Sequence, residues 1–121
     1  MDPLKDKRKE LVTAADEIME RAFAEGEVRL HKAQLPKLAA VCGEATCAEE
    51  VVNYLRYQVG RDMFDQKVAE RIIERASKAL DGLEDAHKVA GWQLFATYLT
   101  RAFTYFDKAC KRTRKNKKRK E

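Results

Sequence analysis

The sequence predicts an all-α fold, a compact bundle of about five helices with a long C-terminal helix. Apolar residues recur at intervals of three, four and seven, as on one face of a helix. No segment alternates apolar and polar residues as a strand does, and single glycines mark the helix ends. With 121 residues, 45% hydrophobic and 37% charged, the chain fits one domain with a modest apolar core.

The first two helices are defined by their end signals. The first begins near Asp2 and Pro3, since Asp can cap a helix and Pro suits a first turn. It ends at Gly26, and its apolar stripe consists of Leu4, Leu11, Ala15, Ile18 and Ala22. The second helix has Pro36 in its first turn and ends at Gly43. Its apolar side consists of Leu35, Leu38, Ala39 and Cys42.

The third and fourth helices have equally clear boundaries. A capping box from Thr46 to Glu49 begins the third, which ends at Gly60. Its predicted core face consists of Val51, Val52, Leu55 and Val59. The fourth runs from about Asp65 to Leu80, where Asp81 and Gly82 break it. Its predicted buried face consists of Phe64, Val68, Ile72, Ala76 and Leu80.

The last helix is the longest, from about Glu84 to Cys110, with an apolar stripe of Trp92, Phe95, Leu99, Ala102, Phe106 and Cys110. We therefore divide the chain into a helical bundle domain, residues 1–110, and a basic C-terminal tail, residues 111–121. The tail holds eight Lys/Arg and one Glu, a charge of +7, whereas the remainder, with 17 basic and 19 acidic residues, carries −2. Such a block either binds polyanions or serves as a solubilising tail.

Several classes of function are not supported by the sequence. It has no phosphate-binding glycine loop, no metalloprotease motif and no nucleophile elbow, so we expect no enzyme and no cofactor. Three cysteines, an odd number without tight spacing, predict buried apolar residues rather than disulfides or a zinc site. No apolar run approaches the ~18 residues of a membrane span, and the N-terminus lacks a signal peptide. We expect a cytoplasmic protein.

Two helices carry tyrosine and arginine side by side. If the valines of the third helix face the core, Tyr54, Tyr57 and Arg61 form an outward stripe, with Arg56 on the other flank. On the last helix, Tyr98, Arg101 and Tyr105 recur at i, i+3 and i+7. Such surfaces can stack bases and neutralise phosphates, form a protein interface, or merely cover a neighbouring helix.

The segment YQVGRD, residues 57–62, resembles the YQxGR[DE] element of the Csm small subunit, the small helical subunit of type III-A CRISPR–Cas effector complexes. FATYLTRAFTYF, residues 95–106, is similar to the closing segment of that family, and AQLPKL, residues 33–38, to its SQLRK element. The similarity spans roughly residues 10–108. Ala33 and Pro36 stand where the family has Ser and Arg, Thr97 stands where it often has Arg, and the basic tail lies outside the family pattern.

The resemblance implies a helical, non-catalytic subunit that stacks in several copies along an effector filament. Its expected partners are guide RNA, target RNA, the backbone and large effector subunits, and copies of itself. The predicted RNA-binding residues are Lys37, Arg56, Tyr57, Arg61, Arg101, Lys108, Lys111, Arg112 and Arg114. The predicted interface residues are Tyr54, Tyr98 and Tyr105. The alternative is a standalone helical protein-interaction adaptor whose basic tail tethers it to nucleic acid.

Overall fold

A computed structural model describes residues 2–26, 30 and 33–120, the last eight of them by their backbone alone. Within these residues the chain forms five α-helices and no strand, which confirms the predicted all-α bundle with its long last helix. The helices are α1 (Arg8–Ala24), α2 (Gln34–Glu44), α3 (Ala48–Gly60), α4 (Gln66–Ala79) and α5 (Asp85–Lys120).

The chain enters α1 through a short turn rather than directly at Pro3. The Asp2 carboxylate accepts a hydrogen bond from the Leu4 amide at 2.9 Å, which forms a local turn. The prediction that Asp2 caps the first helix is wrong, because Lys7 occupies the N-cap position of α1. A single 3₁₀ turn, Lys5–Lys7, follows before the α-helix proper begins at Arg8. The five predicted apolar residues of this segment are all buried, and Gly26, with φ +131°, turns the chain away.

The capping box predicted from Thr46 to Glu49 is not formed at the start of α3. Cys47 occupies the N-cap position with an extended backbone and makes no capping hydrogen bond with its side chain. The third helical residue is therefore Glu50, not Glu49. Its carboxylate accepts from the Thr46 amide at 2.9 Å and also from the Thr46 hydroxyl. Both hydrogen bonds therefore end on the Glu50 carboxylate. The predicted reciprocal bonding of Thr46 and Glu49 is wrong, and the predicted start of the helix is one residue too early.

Helix α4 begins as predicted, because the Asp65 carboxylate accepts from the Val68 amide at 3.1 Å. Its predicted buried face is confirmed in full, from Phe64 through to Leu80. In α2 the predicted Leu35, Leu38 and Cys42 are buried, and Ala39 is half-buried.

The cysteines are only partly as predicted. Cys42 is buried, and burial raises the pKa of its thiol to about 12. Cys47 and Cys110 are half-buried, and all three thiols are free. The prediction of buried apolar residues therefore holds fully for one cysteine.

Helix α5 is the axis of the bundle and contacts each of the other four helices. Trp92, Phe95 and Leu99 are fully buried along it. Helix α1 packs beside it, and the Phe23 and Phe103 ring centroids lie 5.5 Å apart. Gly91 lies inside α5 rather than at a helix end. Glycine fits this position because a Cβ would enter the space of the Leu80 side chain.

The backbone of α5 continues past the predicted end at Cys110 and reaches Lys120. Lysine and arginine are good helix formers, and cations favour the C-terminal end of a helix dipole. The helix therefore runs into the basic segment without a break. The domain boundary at residue 110 stays a prediction.

Candidate functional site

The core face of α3 differs from the predicted valine face. It consists of Val51, Leu55 and Gln58, spaced i, i+4 and i+7, all of them buried. Val52 and Val59 are half-buried and flank this face. Gln58 is only 5% exposed, and its Oε1 finds no hydrogen-bond partner among the described residues. A polar residue at a core position gives no hydrophobic signal, so sequence reasoning missed it.

At the C-terminal end of α3, Tyr57 and Arg61 form an exposed pair. The Tyr57 side chain is 57% exposed, and the Arg61 guanidinium carbon lies 5.3 Å from its ring centroid, a cation–π contact. The Arg61 amide donates to the Tyr57 carbonyl at 3.1 Å. The following Asp62 turns the chain with φ +60°. The helix end therefore holds the two side chains together.

Tyr54 is the member of the predicted outward stripe that the structure turns inward. It is half-buried and packs against the hydrophobic core. The reason is the shifted core face, because Tyr54 borders Val51 and Gln58 on the helical wheel. The outward stripe of α3 is therefore limited to Tyr57 and Arg61.

Arg56 is exposed on the other side of α3, at the rim of a cleft between α3, α4 and α5 of about 540 Å³. The apolar lining of the cleft is Val52, Ile73, Ala76, Leu80 and Trp92 together with Ala48. Glu49 lies on the same rim. Its pKa is lowered first by a hydrogen bond from its own backbone amide, then by the Cys47 thiol, and also by the Lys88 charge.

The second Tyr–Arg surface lines a groove of about 500 Å³ between α1 and α5, which we call the α1–α5 groove. Its α5 wall consists of Tyr98, Arg101, Ala102, Tyr105 and Phe106, and its α1 wall of Val12, Asp16 and Glu20. Tyr98 is half-buried, Arg101 is exposed, and Tyr105 is 67% exposed. The Tyr105 ring stands edge-on to Phe106, with centroids 5.0 Å apart. The acidic wall was not predicted, because it depends on how α1 and α5 pair.

The remaining predicted RNA-binding residues lie elsewhere on the surface. Lys37 is exposed on α2, and Lys108, Lys111 and Arg112 are exposed on α5. The Lys111 ammonium donates to the Asp107 carboxylate at 3.0 Å. The side chain of Arg114 lies outside the described part of the chain. The predicted residues thus lie on three helices, and Arg56 and Arg101 line separate grooves.

Two further observations bear on the chemistry that the described residues can support. Nowhere in residues 2–26, 30 and 33–112 do three or more His, Cys, Asp or Glu side chains come together as a metal site. Over the same part of the chain, no helix has the length and apolarity to cross a membrane.

The geometry thus presents two exposed Tyr–Arg surfaces of different character, one at the end of α3 and one in the α1–α5 groove. Comparisons of the chain with protein-family models, with curated proteins and with solved structures find no match. The family resemblance therefore depends on the motifs of the chain itself, and the function that it implies is a proposal.

Proposed function

We propose that the chain is a non-catalytic small subunit of a type III CRISPR–Cas ribonucleoprotein, in which several copies contact the guide and target RNA. The observation that carries the proposal is the exposed Tyr57–Arg61 pair. It lies within YQVGRD, the segment that also carries the family resemblance. The same pair is therefore supported by motif and by geometry.

The chemistry of this pair suits a nucleic-acid strand. An aromatic face can stack a base, and a guanidinium can donate to phosphate oxygens. Among the described residues, Arg61 forms no ion pair with a carboxylate. Its charge and its N–H groups are therefore available to a phosphate. A subunit that binds RNA without cleaving it requires only these stacking and phosphate contacts at this site.

The experiment that tests the proposal is native co-purification of the tagged chain, followed by sizing of the bound RNA. A discrete population of short RNAs with a shared 5′ handle, together with larger backbone proteins, is the expected result. A lone protein with a heterogeneous RNA population, or with none, would overturn the proposal.

The contact itself is tested by Arg61→Glu in the assembled complex. Target-RNA affinity is expected to fall, and the salt dependence of binding is expected to weaken by roughly 0.7 in log–log slope for each phosphate that the variant no longer neutralises. Lys78→Glu is the matched control, since Lys78 is exposed on α4 and undergoes the same change of charge. Equal affinities for the two variants would show that Arg61 does not touch the RNA.

A standalone protein-interaction adaptor is the second candidate, and the α1–α5 groove favours it. Tyrosine and arginine are enriched at protein interfaces, and carboxylates on the α1 wall repel phosphates. Removal of residues 111–121 separates the two candidates. If the isolated protein loses all RNA binding with this tail, the helical body is not an RNA surface and the adaptor is favoured.

A further inference from the structure

The two walls of the α1–α5 groove carry opposite charges. Asp16 and Glu20 are one helical turn apart on α1, and Arg101 lies on the α5 wall. None of the three forms an ion pair with another described residue. The groove thus offers one cation on its α5 wall and two carboxylates on its α1 wall, and the α5 wall of one groove is complementary in charge to the α1 wall of an identical groove.

The same groove concentrates the exposed apolar surface. Three large apolar side chains are exposed in the described part of the chain, and two of them, Val12 at 38% and Tyr105 at 67%, line this groove. Beside them Tyr98 and Phe106 are half-buried. Clustered apolar residues with a polar rim are typical of a protein contact rather than of a solvated face.

We propose that two copies of this chain pair through their α1–α5 grooves about a two-fold axis. Arg101 of each copy then faces Asp16 and Glu20 of the other, because in a two-fold interface residue i meets residue j at two equivalent places. Val12 and Tyr105 line the same groove and are covered by the pairing.

A second copy fits this groove better than a nucleic acid does. A phosphate approaching Arg101 would also approach two carboxylates, which oppose it. The part of the groove from Val12 to Glu20 is only about 12 Å long at 1.5 Å per residue, so the pairing is small and weak. The inference does not rest on the proposed ribonucleoprotein, because the free chain carries the same groove.

A charge-swap experiment on the isolated, full-length chain tests the pairing without RNA. Association is measured by analytical ultracentrifugation up to millimolar concentration. Arg101→Glu and the double variant Asp16→Lys/Glu20→Lys are each expected to weaken association at least about tenfold, since like charges then meet twice. An equimolar mixture of the two variants is expected to associate again, because opposite charges meet at both contacts.

Two exposed tyrosines provide a second test and its matched control. Tyr105→Ala is expected to weaken association, whereas Tyr57→Ala, which truncates a comparably exposed tyrosine on α3, leaves it unchanged. Thermal melting by circular dichroism establishes that each variant is folded. Because no RNA is present, failure of the pairing and failure of the proposed function are observed in separate experiments.

Three results would overturn the pairing. The first is a native chain that stays monomeric up to millimolar concentration. The second is a mixture of the two charge variants that associates no better than either alone. The third is an Arg101→Glu variant that melts at a lower temperature but associates like the native chain. This result would mean that Arg101 pairs with the carboxylates of its own chain.

Discussion

Replacement of the buried glutamine of α3 by methionine is expected to stabilise the protein. Gln58 lies on the core face between Leu55 and the turn at Asp62, 5% exposed, with its side-chain oxygen unpaired among the described residues. A buried acceptor without a partner costs about 1–3 kcal/mol. Methionine has a similar length, is unbranched and carries no such acceptor.

The expected gain for Gln58→Met is therefore about 1–2 kcal/mol in the free energy of unfolding, allowing for some loss of packing. For a chain of this size that corresponds to a rise of about 4–8 °C in Tm. The assay is urea unfolding followed by circular dichroism, with thermal melting as a second measurement. Gln66→Met is the matched control, since Gln66 is exposed on α4 and its change is expected to stay within about 0.5 kcal/mol.

A destabilised Gln58→Met protein would refute this reasoning. It would show that the amide oxygen is bonded in solution and that the polar group contributes to the core. A stabilised variant with weaker RNA binding would instead show that glutamine is retained at this position for function at the expense of stability.

Three other perturbations have defined outcomes. Gly91→Ala is expected to lower the free energy of unfolding by about 1–2 kcal/mol, since the added Cβ enters the space of a neighbouring leucine. Gly60 has open space around it, so Gly60→Ala is expected to raise the free energy of unfolding by about 0.5–1 kcal/mol. Urea unfolding measures both. The thiol of Cys42, with its pKa raised to about 12 by burial, is expected to react with a disulfide reagent at pH 8 far more slowly than the other two cysteines, and equal rates for all three would contradict its burial. Hydrogen bonds from Arg21 first, and then from an arginine of α4, lower the pKa of Glu25. A glutamate whose pKa is lowered by folding stabilises the fold at pH values above its unfolded-state pKa. This stabilisation is lost as the pH falls through the pKa of the folded state. Glu25→Gln is therefore expected to melt below the native chain at neutral pH and together with it in acid, and a difference that persists in acid would refute the assignment.

Helices with a continuous apolar stripe could be predicted from the sequence, because burial alone determines their orientation. The stripe of α4 is the clearest case, since every residue predicted to face the core is buried. In α3 the same reasoning was less successful. Four apolar residues and two tyrosines compete for the core there. Gln58, whose Oε1 has no partner among the described residues, takes one of the central positions.

For the candidate site too, features set by helical periodicity could be predicted and features set by packing could not. The exposure of Tyr57 and Arg61 could be predicted from helical periodicity alone, whereas their cation–π contact depends on side-chain conformations. The inward position of Tyr54 depends on which residues of α3 face the core. Asp16 and Glu20 look like ordinary solvated charges in the sequence, and only the packing of α1 beside α5 places them opposite Arg101.

The contact between the first and last helices has a consequence for synthesis of the chain. Phe23 and Phe103, whose rings pack against each other, are 80 positions apart in the sequence. At about 5–20 residues per second, a ribosome needs about 4–16 s to add the intervening residues. During that time the apolar stripe of α1 has no α5 to cover it and is open to aggregation or chaperone binding. A translational pause before α5 is synthesised would lengthen this exposure. The same pause after Phe103 has left the ribosome would not.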